Sequence, residues 1–234
     1  MPKTFLKNCK AYLLDILFPN RCPFCNEIIM WNKSVCDNCR SKLVNACDKI
    51  CHKCGCAPCV CDNSNEFDSV YAAVFFDDKN VSNAIYDFKQ TGMSNLAEYT
   101  AEIVCEHISE ADLVASVPMG KRKRRERGHN QADILAKCIG ECLDIPFEHN
   151  LLYKVDTKAE QHHFSERERA ERVKDLFYGS NSDLSGKTII LCDDVMTTGS
   201  TVNRCAELLK GMGAAKVIVC VCAVTRLDKS QREG

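Results

Sequence analysis

Two stretches of this 234-residue chain carry residue types at spacings that could do chemistry. The first is Asp193-Asp194-Val195-Met196-Thr197-Thr198-Gly199-Ser200-Thr201. Its threonines, serine and glycine offer an anion both backbone N–H groups and hydroxyl donors, and Gly199 lets the backbone approach without a Cβ in the way. The paired acids ask for a different neighbour, because carboxylates repel a phosphate; sugar hydroxyls or a Mg²⁺ ion would suit Asp193 and Asp194. No Gly-Lys-Ser/Thr follows the glycine, which excludes a Walker A loop, and Gly-x-Gly-x-x-Gly is absent. A Ser/Thr helix cap would account for one of these residues but not for the ordered string.

The second stretch is Cys22-Pro-Phe-Cys25, ten intervening residues, and Cys36-Asp-Asn-Cys39. Each Cys-x-x-Cys knuckle offers two thiolates from one tight turn, and two such pairs complete a tetrahedron around zinc. Four protein ligands close the site, so Cys22, Cys25, Cys36 and Cys39 predict structural zinc rather than catalytic zinc. Cys51, Cys54, Cys56, Cys59 and Cys61 follow directly; Cys51, Cys54, Cys56 and Cys59 are a candidate second metal set, with the completing ligands left open by the crowding. Cys47 reads as a buried small residue.

These groups need elements to hold them. Lys187 to Cys192 is a β-rich apolar run, while Val202, Cys205, Leu208, Leu209 and Met212 recur at helical spacing. The acidic and hydroxyl residues therefore lie on a strand-loop-helix turn. Its loop falls at the carboxyl end of a strand, where open α/β sheets bind ligands, and its amides start a helix, where the macrodipole favours an anion. Strands are predicted at Val70 to Phe76, Leu113 to Val117, Leu151 to Val155 and Val217 to Val224, with two helices between the first pair interrupted near Gly92 and another after Gln131. Cys138 and Cys142 fall on the apolar stripe of that last helix and read as core. Lys121 to Arg127, six basic residues and one acid, follows Pro118 as a charged loop on the same sheet edge. Position favours a polyanion there, either pyrophosphate or a nucleic-acid backbone, over a merely solvated loop. Pro118, Lys121, Arg122, Arg125 and Arg127 are its candidate contacts. Interleaved aromatics, which would stack on bases, are missing from residues 119 to 131.

Residues 5 to 17 draw an apolar stripe on a short helix, so 1–19 is expected as an amphipathic segment, 20–63 as a cysteine-rich unit and 64–234 as an α/β domain. Thr157 to Lys174 is a polar excursion suited to a lid, with His162 and His163 exposed in it rather than binding metal. The balance of 31 basic against 32 acidic residues excludes a global electrostatic drive toward nucleic acid or membrane. Eleven of the 18 cysteines lie in residues 1 to 61, and no signal peptide is recognised before them; the expected compartment is the cytoplasm, where dense cysteines mean metal before disulfide. No apolar run is long enough to span a bilayer.

Taken together the chain resembles the ComF family, related to amidophosphoribosyltransferases and linked in some bacteria to DNA uptake in natural competence. The resemblance rests on the four cysteines Cys22, Cys25, Cys36 and Cys39, on Asp87-Phe-Lys-Gln-Thr-Gly92, Val117-Pro118, Arg125-Glu-Arg-Gly-His-Asn-Gln131, Thr157 with Gln161 and Arg169, and Asp193 to Thr201. Departures are His129 in place of an aromatic, no leucine near His163 or Phe164, Arg172 in place of an asparagine, and Cys192 in place of Val or Ile. The resemblance implies a type I phosphoribosyltransferase-like parallel sheet flanked by helices, with a small N-terminal four-cysteine zinc domain. It also implies that phosphoribosyl pyrophosphate (PRPP) binds with Mg²⁺: Asp193 and Asp194 on the ribose side, Thr197, Thr198, Gly199, Ser200 and Thr201 around the 5-phosphate, and pyrophosphate at the Pro118 loop. An enzyme of this kind would be a glycosyltransferase releasing pyrophosphate to an unidentified acceptor. The alternative is a non-catalytic, zinc-dependent adaptor that binds single-stranded DNA and a competence helicase or other uptake proteins, with a regulatory PRPP site.

Overall fold

Alternating strands and helices in the second two thirds of the chain produce a parallel sheet in the computed structural model, which describes residues 19–61, 64–77, 79–155 and 176–226. The elements run α1 (Asp37–Lys42), β1 (Ser69–Phe75), α2 (Lys79–Thr91), α3 (Asn95–Cys105), β2 (Leu113–Ser116), α4 (Lys121–Arg127), α5 (Gln131–Leu143), β3 (Leu152–Lys154), β4 (Phe177–Gly179), β5 (Thr188–Met196), α6 (Ser200–Gly211) and β6 (Lys216–Val224). The main sheet has the order β1-β6-β5-β2, all parallel. Beyond β2 the chain adds one more parallel bridge, Val114 with Phe147. β5 and β6 are covered on both faces, which is why they read as continuous apolar runs. Ile190 and Cys192 of β5 with Ile218, Cys220 and Cys222 of β6 face a core that includes residues of α2, α3 and α5. Ile189, Leu191, Val217, Val219 and Val221 face the opposite core, with α6 and the β3–β4 hairpin. The period of two in side-chain direction sorts these residues between the layers.

The cysteine-rich segment shares these cores and does not hang from the sheet as an appendage. Cys22, Phe24, Ile29, Val35 and Cys36 join the α3 layer, Phe24 meeting Tyr99 edge-on at 5.8 Å between centroids. Asn95 donates a 2.7 Å hydrogen bond to the side-chain oxygen of Asn20. Ala46 and Ile50 join the other layer, and the backbone donates from Ala46 to Ala73 and from Val70 to His52, covering the free edge of β1.

One local expectation is corrected, and one strand is added. Lys121 to Arg127 is a helix rather than a loop: Lys, Arg and Glu are good helix formers, and Gly128, at φ 79°, ends it in the left-handed conformation. The strand expected at Leu151 to Val155 forms over Leu152–Lys154, but its antiparallel partner, Phe177–Gly179, is not legible in the sequence, because three residues after a long polar excursion carry too little periodicity to register. The expected helix over residues 5 to 17, the Thr157, Gln161 and Arg169 positions and the lid histidines His162 and His163 lie outside the described residues. Among the described residues no helix is long and apolar enough to cross a membrane.

Candidate functional site

β5 carries Asp193 and Asp194 out of the core, and the chain turns through Thr197 to Gly199 into the first turn of α6. Gly199 sits at φ 77°, which is the reason glycine is needed; a Cβ there would meet only ordinary contact with Met196 at 3.8 Å, so conformation rather than crowding selects it. Thr198 and Ser200 share a 3.0 Å hydrogen bond between their hydroxyls, and Thr197, Thr198 and Ser200 are exposed. These hydroxyls stand at the N-terminus of a 12-residue helix, with the orphan amides of its first turn beside them.

The acids are fixed by their own backbone. Asp193 Oδ1 accepts from the Asp194 N–H at 2.9 Å, and Asp194 Oδ1 accepts from the Val195 N–H at 2.7 Å. Asp194 Oδ2 lies 3.0 Å from Lys89 Nζ, at the end of α2. Burial, then the adjacent Asp194 charge, pushes the Asp193 carboxyl up to about 8. Among the described residues the ion pair recorded for these acids is that of Lys89 with Asp194.

A cleft of about 240 Å³ brings Asp193, Asp194 and Thr201 together with Lys89, Pro118, Lys123, Arg127 and Lys154. Of the anticipated anion contacts, Pro118 and Arg127 line it. Lys121 lines the neighbouring hollow instead. Arg122 is turned outward, paired with Glu126 at 3.1 Å, and Arg125 is exposed on α4. Lys123, within the basic run anticipated to meet a polyanion, lines the cleft too, while Lys89 and Lys154 are cleft residues that the sequence does not mark as such. Lys89 stands out there only as part of the Asp87 to Gly92 segment, and nothing in its local sequence points toward Asp194. Asn130 and Gln131 position the parts: Asn130 caps α5 and donates to the Val117 carbonyl at 3.1 Å, while Gln131 donates to the Lys89 carbonyl at 3.2 Å. His129 packs its ring on Gly92, where a Cβ would come within 2.9 Å of it, so this histidine occupies the place of a packed aromatic.

Cys22, Cys25, Cys36 and Cys39 place their sulfurs within 4.8 Å of one another, with Cys25 and Cys36 at 3.7 Å. A tetrahedron with zinc–sulfur bonds of about 2.3 Å has edges of about 3.8 Å, so the thiols fit the ion. The Cys36 sulfur also accepts from the Cys39 N–H as the cap of α1. The second group is Cys51, Cys54, Cys59 and Cys61. This corrects the set anticipated from spacing: Cys61 takes the place of Cys56, whose thiol turns to the Cys54 carbonyl at 3.5 Å. The backbone N–H groups of Lys53 and Cys54 push the Cys51 thiol down to about 6. Cys47 is buried and donates to the Ala72 carbonyl, as a packing residue. Cys138 is half-buried against the core, but Cys142, expected there too, is exposed.

Comparison with known proteins gives a phosphoribosyl transferase domain over residues 148–234 and a double zinc ribbon domain over residues 13–66. The DNA utilization protein YhgH of Salmonella typhi is 32% identical over 148 residues, 59% of this chain and 65% of that protein, so the match spans slightly less than two thirds of its length. Competence protein F of Haemophilus influenzae is 32% identical over 110 residues, 46% of this chain and 48% of its own. Competence protein ComFC of Bacillus subtilis is 28% identical over 201 residues, 79% of this chain and 81% of its own. The two cysteine groups and the ribbon match support structural zinc. An N-terminal zinc ribbon joined to a phosphoribosyltransferase-type sheet, together with relatives of these names, supports a ComF-family protein.

Proposed function

We propose that this protein binds PRPP together with Mg²⁺ and works in the handling of DNA during uptake. The observation that carries the PRPP assignment is the convergence, in one cleft, of the Asp193–Asp194 pair, Thr201 of the phosphate loop, the Pro118 turn and the cations Lys89 and Arg127. A 5-phosphate would take the exposed hydroxyls and amides from Thr197 to Thr201. The ribose hydroxyls would take Asp193 and Asp194, and the polyanionic pyrophosphate would face Lys89 and Arg127. The donor set fits Mg²⁺: hard carboxylate oxygens, with Lys89 paired to Asp194, suit a divalent cation that keeps most of its waters and shares the substrate's oxygens. When bound, Mg²⁺ would supply charge for the departing pyrophosphate. The chain's own part is to orient the sugar through the acids and to neutralise the leaving group through Lys89 and Arg127. The DNA-uptake setting is supported by the relatives named competence protein F and ComFC, and by the zinc ribbons that precede the domain.

Calorimetric titration of the full, zinc-loaded chain with PRPP in the presence of Mg²⁺ tests the assignment. Saturable binding that weakens on omission of Mg²⁺ is expected, and release of pyrophosphate in the presence of acceptor pools would make the protein a transferase. Absence of PRPP binding by folded protein would end the assignment.

A further inference from the structure

Across Pro118 and Met119 from the PRPP cleft lies a second hollow of about 320 Å³, sharing Pro118, Met119, Asn130 and Lys154 with it. Tyr153 and Tyr178 both line it. They are direct partners across β3 and β4, with rings stacked at 5.1 Å and 17° between planes. A cross-strand aromatic pair steadies a hairpin. Tyr178 nevertheless stays 49% exposed, so its ring is not spent wholly on packing. Lys121 and Arg124, on one side of α4, and Lys154 complete the rim. Of the acids there, Asp133 is engaged by Arg124 at 3.2 Å, by Ser116 at 2.7 Å and by Asn130 at 2.8 Å; Glu148 is the other. The rest of α4 continues the positive charge away from the hollow through Arg122 and Arg125, which with Lys121 are the anticipated anion contacts that the PRPP cleft leaves unused.

We propose that this hollow and the outer side of α4 bind a single strand of nucleic acid, with a base on the Tyr153–Tyr178 stack and backbone phosphates along Lys121, Arg124 and Arg125. The inference rests on the DNA-handling half of the proposed function and is independent of the PRPP assignment. An exposed tyrosine face beside cations is the arrangement that takes an unstacked base of any identity. A duplex hides its base faces and offers only phosphates, so the tyrosines select single strands. A free nucleotide would not need charge along the whole of α4, whose seven residues span about 10 Å. The aromatics that residues 119 to 131 lack are supplied by the β3–β4 hairpin.

The test is fluorescence anisotropy of a labelled single-stranded oligothymidylate with the full zinc-loaded chain at several salt concentrations. Wild-type binding that weakens with salt and exceeds binding to a duplex of the same length is expected. Tyr178→Ala should weaken it about 5- to 150-fold, the equivalent of one base–aromatic stack, while Tyr178→Trp should retain it. Lys121→Ala with Arg125→Ala should lower the slope of log affinity against log salt by about 0.7 for each phosphate left without its cation. PRPP titration of Tyr178→Ala should match wild type, and a cooperative thermal transition shows the variant to be folded. Failure of the wild-type chain to bind the oligonucleotide would overturn both the DNA-handling reading and this surface. Binding unchanged by Tyr178→Ala, equal binding of duplex, or a fall in sedimentation mass showing that Tyr178→Ala splits a dimer would overturn the surface alone.

Discussion

Thr198 and Asp193 sit on the same strand-to-helix turn but face different parts of the proposed ligand, and this makes them separable. Thr198→Ala removes a hydroxyl at the start of α6, and Asp193→Ala removes a carboxyl from the sugar side; each should weaken PRPP by about 1–3 kcal/mol, read by calorimetry. Inorganic phosphate should distinguish them: Thr198→Ala should weaken it, whereas Asp193→Ala should leave it unchanged below about pH 8, where that carboxyl holds its proton, and tighten it only above, where a nearby negative charge is removed. Asp193 also predicts a pH dependence. Its carboxyl is pushed up to about 8 by burial and by Asp194, while an unfolded aspartate titrates near about 3.9. The folded, ligand-free chain therefore binds more protons between these values, and its stability should fall as pH rises from about 4 to about 8. Urea midpoints across that window should decline in wild type and decline less in Asp193→Asn. Equal slopes would mean that Asp193 is ionised in the folded chain.

At the level of elements, the second ribbon leans on the strand that carries Asp193 and Asp194. Gly55 lies at φ 74°, and a Cβ on it would collide with the terminal methyl of Met196, the last residue of β5. Gly186 has the same φ of 74° with nothing near its Cβ position, so it isolates the backbone strain from the collision. Both Gly55→Ala and Gly186→Ala should cost more than about 1 kcal/mol in urea unfolding, because alanine at positive φ is strained. Only Gly55→Ala should also weaken PRPP, through the displaced Met196 beside Thr197. PRPP titration that treats the two variants alike would show that ribbon and loop are uncoupled. α4 allows a similar contrast. Arg127→Ala should weaken PRPP by about 1–3 kcal/mol, and Arg122→Ala and Arg125→Ala should not, since only Arg127 of the three lines the cleft. Equal losses at all three positions would return α4 to a diffuse electrostatic role.

On the scale of the whole molecule, zinc is expected to hold more than residues 19–61. Cys22 and Cys36 are themselves buried in the layer that contains Tyr99 and Leu96 of α3, so losing the ion opens a core shared with the sheet. Cys22→Ser should therefore lower a single thermal transition by at least several degrees, since a chain of this size moves by about 2–4 °C for each kcal/mol of metal binding lost. Two separated transitions in calorimetry would instead show a ribbon that folds alone. What the amino-acid order determined by itself is whatever lies within one turn or one element: the Asp193 to Thr201 string between a strand and a helix, the Cys22/Cys25 and Cys36/Cys39 knuckles, and the buried runs of β5 and β6. Ligand spacing and period-two burial are short-range properties, so they survive in the sequence. Choosing Cys61 over Cys56 required the path of the chain through the second ribbon, and the pairing of Lys89 with Asp194 required α2 to pack beside β5. The Tyr153–Tyr178 stack next to α4 required a hairpin whose second strand has only three residues. Those juxtapositions come from the packing of layers on the sheet, which side chains distant in sequence settle together and no local pattern encodes.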